Sequence, residues 1–244
     1  MVPKFSRRIF LWMKLEVIEV THYTDKLFRI KLERPRSYRF TAGEFTMIGF
    51  PDEKIKRAYS FTSGPGDDYL EFYSIKVPNG PLTSKLKYIE PGKFLEVGDK
   101  PTGTLTLANI ELGGHLWLLA TGTGIAPYIS LLRDPSTYDL FDKITVTWTV
   151  PYAQDLRAYN DFLEDVDIDY FPTVTREPFK NQGRITKYIE EGMWDNIAPH
   201  TDRVMICGSI AFNNDIKARL VDLGFTEGTR RTSGTFAQEK AFVS

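Results

Sequence analysis

Thiols and imidazoles are nearly absent from this chain, which has one cysteine, Cys207, and three histidines among 244 residues. One thiol closes no disulfide within the chain, and an iron-sulfur cluster held by four of its thiolates is excluded. His22, His115 and His200 form no HxxxH or HExxH pair, so no metal site is expected. Long apolar runs are missing as well. Near the N-terminus, Lys4, Arg7 and Arg8 precede only Ile9 to Trp12 before Lys14 interrupts, too short for the core of a secretion signal. No segment approaches the roughly 20 apolar residues of a membrane span. These absences predict a cytoplasmic protein without membrane association, with residues 1–12 as an N-terminal arm.

No sign of charge predominates overall, since 31 Lys and Arg stand against 32 Asp and Glu. The balance conceals a split: residues 1–107 carry 18 basic against 13 acidic residues (net +5), and the remainder 13 against 19 (net −6). Such asymmetry can steer an acidic partner to one face, although a solvated surface produces it too. No nucleic-acid partner is expected. The length suits two domains, each with its own core.

From Met13 the pattern is one of short strands. Lys14–Val20 and Leu27–Glu33 alternate, Phe45–Phe50 follows Thr41-Ala42-Gly43-Glu44, and Tyr69–Val77 and Phe94–Val97 complete the set. Short strands punctuated by Gly and Pro predict a small antiparallel β-barrel over residues 13–107. Gly80-Pro81-Leu82-Thr83-Ser84 then leads into helical spacing, which could leave backbone N–H groups free for an anion or simply cap a helix.

Beyond Thr104 the grammar changes. His115–Ala120 is continuously apolar and runs into Thr121-Gly122-Thr123-Gly124-Ile125-Ala126-Pro127 before a helical pattern, the strand, glycine turn and helix of a dinucleotide motif. Strands at Lys143–Val150, Ile168–Thr175 and Arg203–Cys207 alternate with helices over about 155–166, 185–190 and 211–223. That order predicts a Rossmann-like parallel α/β sheet over residues 108–244.

Arg57-Ala58-Tyr59-Ser60 is the stretch richest in chemistry. Strand alternation puts Arg57 and Tyr59 on one face and Ala58 and Ser60 on the other. A guanidinium suits a pyrophosphate, a phenol ring lies against a planar cofactor, and a hydroxyl bonds a ring nitrogen. An ordinary half-buried strand with a solvated Arg and a core Tyr fits the same four residues.

Arg57–Ser60, Gly80–Thr83, Ala120–Pro127, Thr175-Arg176-Glu177, Gly183–Thr186, Cys207-Gly208-Ser209 and Ala241-Phe242-Val243 occur in a fixed order. This collinear set resembles the bacterial ferredoxin (flavodoxin)-NADP reductases over nearly the whole chain from Met13. The resemblance implies FAD on the barrel, NADP(H) on the α/β domain, and electron exchange with ferredoxin or flavodoxin by a monomer. It further implies that Arg57 and Ala58 hold FAD, that Tyr59 stacks on its ring and that Ser60 bonds its reactive nitrogen. Tyr73, Ser74, Ile75 and Lys76 would line the flavin, and Pro81, Leu82 and Thr83 its phosphates. Thr123 would sit beside the cofactors and Cys207 would approach the nicotinamide, a lone buried cysteine being the plainer reading. Thr175, Arg176, Arg184, Ser209 and Asp215 would serve NADP(H), and Ala241 and Phe242 would cover the flavin. The family places a further Arg after the strand that ends here at Val150, where this chain has Pro151. Two alternatives stay open: a reductase of free flavin or another small acceptor, and a non-enzymatic flavin-binding redox sensor.

Overall fold

The computed structural model describes residues 11–77 and 79–240. Ala241 and Phe242, expected over the flavin, and most of the N-terminal arm lie outside the described residues. The first half is a six-stranded antiparallel sheet in the order β4-β3-β6-β1-β2-β5. Its strands are β1 (Trp12–His22), β2 (Leu27–Glu33), β3 (Phe45–Gly49), β4 (Arg57–Ser60), β5 (Tyr69–Ile75) and β6 (Phe94–Gly98). β1 is long enough to serve two partners, pairing through Trp12–Glu16 with β6 and through Val17–His22 with β2. The register shifts between Val17 and Glu19, a bulge that bends the strand and curls the sheet. The two terminal strands then meet through a bridge between Phe61 and Phe72, so the barrel nearly closes. Phe61 fills its interior, stacked on Phe40 at 4.1 Å and tilted against Phe72 at 5.1 Å. Each such buried ring contributes about 1.5–3 kcal/mol.

The second half is a five-stranded parallel sheet in the order β11-β10-β7-β8-β9, with β7 (His115–Thr121), β8 (Lys143–Val150), β9 (Asp169–Val174), β10 (Asp202–Gly208) and β11 (Phe236–Lys240). Continuous apolar strands predict burial on both faces, and two clusters lie there, one around Trp148, Tyr128 and Ile129, the other around Val204, Ile206 and Phe236. The helices are α1 (Thr83–Leu86) in the barrel half, then α2 (Ala126–Leu132), α3 (Asn160–Asp165), α4 (Ile185–Tyr188) and α5 (Ile210–Asp222). From β7 the chain steps outward to β8 and β9, then returns to the other side of β7 as β10. The switch point therefore lies between the ends of β7 and β10, where crevices form in sheets of this kind.

Three expectations need correction. The continuous helix over 155–166 is broken into a 3-10 turn at Ala153–Leu156 and a short α3, because Tyr159 leaves the helical region (φ −141°) to bury its ring. The helix expected to reach residue 190 keeps α-geometry only to Tyr188, then widens into a π-turn that Gly192 ends with φ 110°. The strands expected end at Arg203–Cys207, but Phe236–Lys240 adds an edge strand to β10.

The two halves share a core. Leu27, Ala42 and Tyr73 of the first half belong to the same apolar cluster as Leu118, Ile125 and Leu131 of the second.

Candidate active site

A cleft of about 600 Å³ opens between the barrel edge and the switch point. This is ordinary for a small-molecule site. Its barrel wall is β4 with the end of β5 and the turn into α1, bringing Arg57, Ala58, Tyr59, Ser60, Tyr73, Ser74, Ile75, Pro81, Leu82 and Thr83 together. Its α/β wall carries Thr123, Gly124, Cys207, Glu239 and Lys240. All four residues of the β4 stretch line the cleft, although strict alternation would turn two of them away. β4 is a terminal strand, so the cleft follows its unpaired edge.

Tyr59 is held on two sides. Ser74 Oγ donates to its hydroxyl at 3.3 Å, and Phe72 meets the ring edge-on at 6.4 Å. Burial raises its phenol pKa, so it stays neutral. Arg57 is exposed; it donates to its neighbour's carbonyl, Lys56 O, at 3.0 Å and has no carboxylate partner among the described residues. On the same wall, the N–H groups of Leu82 and Thr83 make no hydrogen bond among the described residues, while Thr83 Oγ1 accepts from Val77 N at 3.1 Å. An unpaired guanidinium and free amides beside an apolar floor suit a phosphate-bearing planar ligand. Lys76 does not itself line the cleft, although Ile75 and Val77 on either side do: β5 ends at Ile75, and the Lys76 ammonium donates to Tyr88 OH at 3.1 Å.

The glycine turn is a 3-10 turn, Gly122–Ile125, feeding α2 with Pro127 in its first turn. A Cβ on Gly124 would lie 2.2 Å from Cys207 O, so only glycine lets the turn close against β10. Gly122 has φ 53°, and its carbonyl accepts from Trp148 Nε1 at 2.8 Å. Burial raises the Cys207 pKa, with a smaller contribution from Glu239. A thiol held protonated shapes the cleft but is no nucleophile.

Glu239 was not singled out from the sequence. In β11 it lies in register with Cys207, and its Oε1 accepts from Thr104 N at 3.2 Å. Burial pushes its carboxyl up to about 7, against the lowering effect of the Thr104 hydrogen bonds and of Arg230. The only sequence signal was a lone acid preceding an aromatic tail.

The remaining candidates stand at the same end of the parallel sheet but outside the cleft. Thr175 N and Arg176 N donate to Val150 O (3.0 Å) and Pro151 O (2.9 Å). Val174 bridges to Gln182, so Arg176 and Arg184, both exposed, leave from adjoining segments. Ser209 caps α5 by accepting from Phe212 N at 3.3 Å, and its own N–H donates to Thr121 Oγ1. Asp215 lies farther off, in a groove between α4 and α5 with Thr186, Glu190 and Arg219. Among the described residues no cluster of metal-ligating side chains occurs, and no helix is long and apolar enough to cross a membrane.

The oxidoreductase NAD-binding domain family matches residues 118–218. Over 248 residues the chain is 44% identical to ferredoxin-NADP reductase A of Sorangium cellulosum, covering 93% of this chain and 89% of that one. It is 42% identical to the flavodoxin/ferredoxin-NADP reductase of Rhodobacter capsulatus, covering 93% and 92%. A ferredoxin NADP+ reductase from Neisseria gonorrhoeae, solved with bound FAD and NADP, superposes with a TM-score of 0.88 at 29% identity, covering 95% of this chain and 99% of that one. With two such domains meeting in one cleft and identity of this order along nearly its whole length, the chain belongs to the bacterial ferredoxin (flavodoxin)-NADP reductase family.

Proposed function

We propose that the protein is an FAD-containing reductase that exchanges a hydride with NADP(H) and single electrons with ferredoxin or flavodoxin, acting as a cytoplasmic monomer. The division of labour is residues 13–107 for the flavin and 108–244 for the nucleotide, with 241–244 as a tail over the flavin. The observation that carries this reading is the cleft itself, with Arg57, Tyr59 and the Leu82 and Thr83 amides on one wall and the Gly122–Ile125 turn on the other. The donors fit FAD: a guanidinium without a carboxylate partner and two amides without a hydrogen bond among the described residues for the pyrophosphate, and an oriented phenol for the ring.

FAD, when bound, supplies the exchange between a two-electron donor and a one-electron carrier. The chain's own residues bind and align. Tyr59, fixed by Ser74, supports the ring face, and the Ser60 hydroxyl is assigned to the ring nitrogen that exchanges a proton. Thr123 and Cys207 shape the space left for nicotinamide, with the thiol neutral throughout. Ser209 sets the start of α5, and Thr175, Arg176 and Arg184 receive the 2′-phosphate. Asp215 takes no part in this reading. Two features support it over a flavin sensor: a nucleotide turn that a sensor does not need, and an arginine pair at the same sheet end.

The test is the absorption spectrum of the purified protein after incubation with FAD, followed by anaerobic addition of NADPH and then a ferredoxin. Flavin bands that bleach with NADPH and return with the carrier are expected. Protein that takes up no FAD would sink the proposal.

A further inference from the structure

Glu71 in β5 is wholly enclosed, at 0% exposure, where an ionised carboxylate needs partners. Its Oε1 accepts from Thr62 Oγ1 at 2.8 Å in the barrel half. From the α/β half it accepts from Arg133 Nη1 at 3.0 Å and Tyr159 OH at 3.1 Å. Arg29 Nε stands 3.5 Å from Oε2 on the barrel side. Around this carboxylate the halves are stitched further, Arg133 Nη1 donating to Thr62 O at 3.0 Å and Ser130 Oγ to Ser63 O at 2.7 Å. Among the described residues every ion pair that crosses between the halves uses Arg133, with Glu71 or with Asp67 at 3.7 Å.

The location of this junction gives it leverage. Two residues along β5 on the same face is Tyr73, which lines the cleft and meets the Tyr159 ring edge-on at 5.3 Å. Arg133 is the C-cap of α2, whose other end is the turn that brings Thr123 and Gly124 to the opposite wall. The seven residues of α2 span about 10 Å, and Glu71 to Tyr73 about 7 Å. Two rigid rods thus leave one junction and end on the two walls of the cleft. A rotation of about 6° at the junction moves the far end of the longer rod by about 1 Å, a misplacement that can cost roughly a hundredfold in rate.

Resting on the functional reading above, we propose that Glu71 is a positioning residue: an interdomain pin that sets the spacing of the cleft walls through Arg133 and Tyr159. Its role is distinct from flavin binding, since it does not line the cleft.

The test compares Glu71→Gln, which keeps the shape and removes the charge, with Tyr159→Phe, which removes one donor. In the holoenzyme, the rate of flavin reduction by NADPH in stopped flow should fall at least tenfold in Glu71→Gln and about threefold in Tyr159→Phe, with FAD affinity within twofold of the parent. The readout independent of activity is the distance between spin labels at Lys93→Cys and Asp142→Cys, one on each half, since Cys207 is buried and does not compete. A narrow distribution in the parent should shift or broaden in both variants. Distances that stay as in the parent, or rates that hold while distances move, overturn the pin. If Glu71→Gln does not fold, Tyr159→Phe decides by the same two readouts. A parent that takes up no FAD is a failure of the functional reading instead, and label distances alone then decide the pin.

Discussion

Ser74 on β5 donates its hydroxyl hydrogen to the phenol oxygen of Tyr59 on β4 across 3.3 Å, joining strands at opposite ends of the barrel's sheet order. The bond orients a ring that Phe72 supports only by its edge. A net hydrogen bond contributes about 1 kcal/mol, a factor of roughly five in binding. Ser74→Ala and Tyr59→Phe should therefore each weaken FAD binding about fivefold in a fluorescence titration, and the double variant no further. Additive losses would show that the two hydroxyls act separately.

Gly124→Ala places a methyl 2.2 Å from Cys207 O, a backbone atom that cannot swing aside. Either the turn lifts off β10 or β10 shifts, at about 1–3 kcal/mol. The expected outcome is a melting temperature lowered by several degrees and a KM for NADPH raised about tenfold, with the flavin spectrum unchanged. A variant with parental KM would place nucleotide binding elsewhere.

Glu239 titrates at about 7 in the folded protein against an ordinary 4.5. Its raised value means that the folded state holds the proton more tightly. The associated stability is present in full below about pH 4.5 and is lost as pH rises through 7, at most about 3 kcal/mol. Urea unfolding should therefore show the parent losing stability relative to Glu239→Gln between pH 5 and 8. A difference between the two that stays constant across that range would leave Glu239 with an ordinary carboxyl.

Much of this architecture was legible because local and global signals agree. The buried run His115–Ala120 and the glycines after it could form little else, whereas Arg57–Ser60 shows no alternation in its burial and is a strand because β3 pairs with it. What was not legible depends on contacts distant in sequence. Tyr159 breaks a helical pattern because its hydroxyl finds Glu71, 88 residues away, and the lost helical turn is compensated by packing that periodicity cannot express. Phe236–Lys240 is short, with two apolar residues followed by three polar ones, and becomes a strand because β10 offers an edge. The end of β5 at Ile75, just before Lys76, is set by the turn into α1 and has no signal in the apolar alternation that runs on to Val77.

The basic balance of the first half predicts an electrostatic component to docking. Tyr88, 67% exposed, carries Lys76 and Lys87 over its ring at 5.2 and 6.0 Å, beside the α1 turn that reaches the cleft. An acidic ferredoxin or flavodoxin should associate faster with this face at low salt, because exposed charges are screened within about 8 Å at physiological ionic strength. Carrier reduction should slow several-fold from 20 to 300 mM salt, and Lys87→Glu should flatten that dependence. A rate insensitive to salt would remove electrostatic docking.

Choice between NADPH and NADH turns on Pro151. The 2′-phosphate carries nearly two negative charges and favours guanidinium donors. Arg176 and Arg184 emerge from segments joined by the Val174–Gln182 bridge, and Arg176 N donates to Pro151 O at 2.9 Å. The residue standing where the family places a third Arg is therefore adjacent to the pair, yet offers only a carbonyl. Each charge-assisted hydrogen bond is worth about 1.5–3 kcal/mol, and every 1.4 kcal/mol is a factor of about ten. Two donors in place of three should keep the preference and reduce it by roughly ten- to a hundredfold. Arg184→Ala should raise the KM for NADPH about tenfold or more while leaving that for NADH within twofold, and Pro151→Arg should sharpen discrimination. Because Pro151 uses no backbone N–H, the Arg substitution breaks no hydrogen bond of the strand end, so its effect on kcat/KM reports the added charge. Equal kcat/KM for both nucleotides in the parent would show that Arg176 and Arg184 do not converge on the phosphate, and an unchanged ratio in Pro151→Arg would separate that position from it.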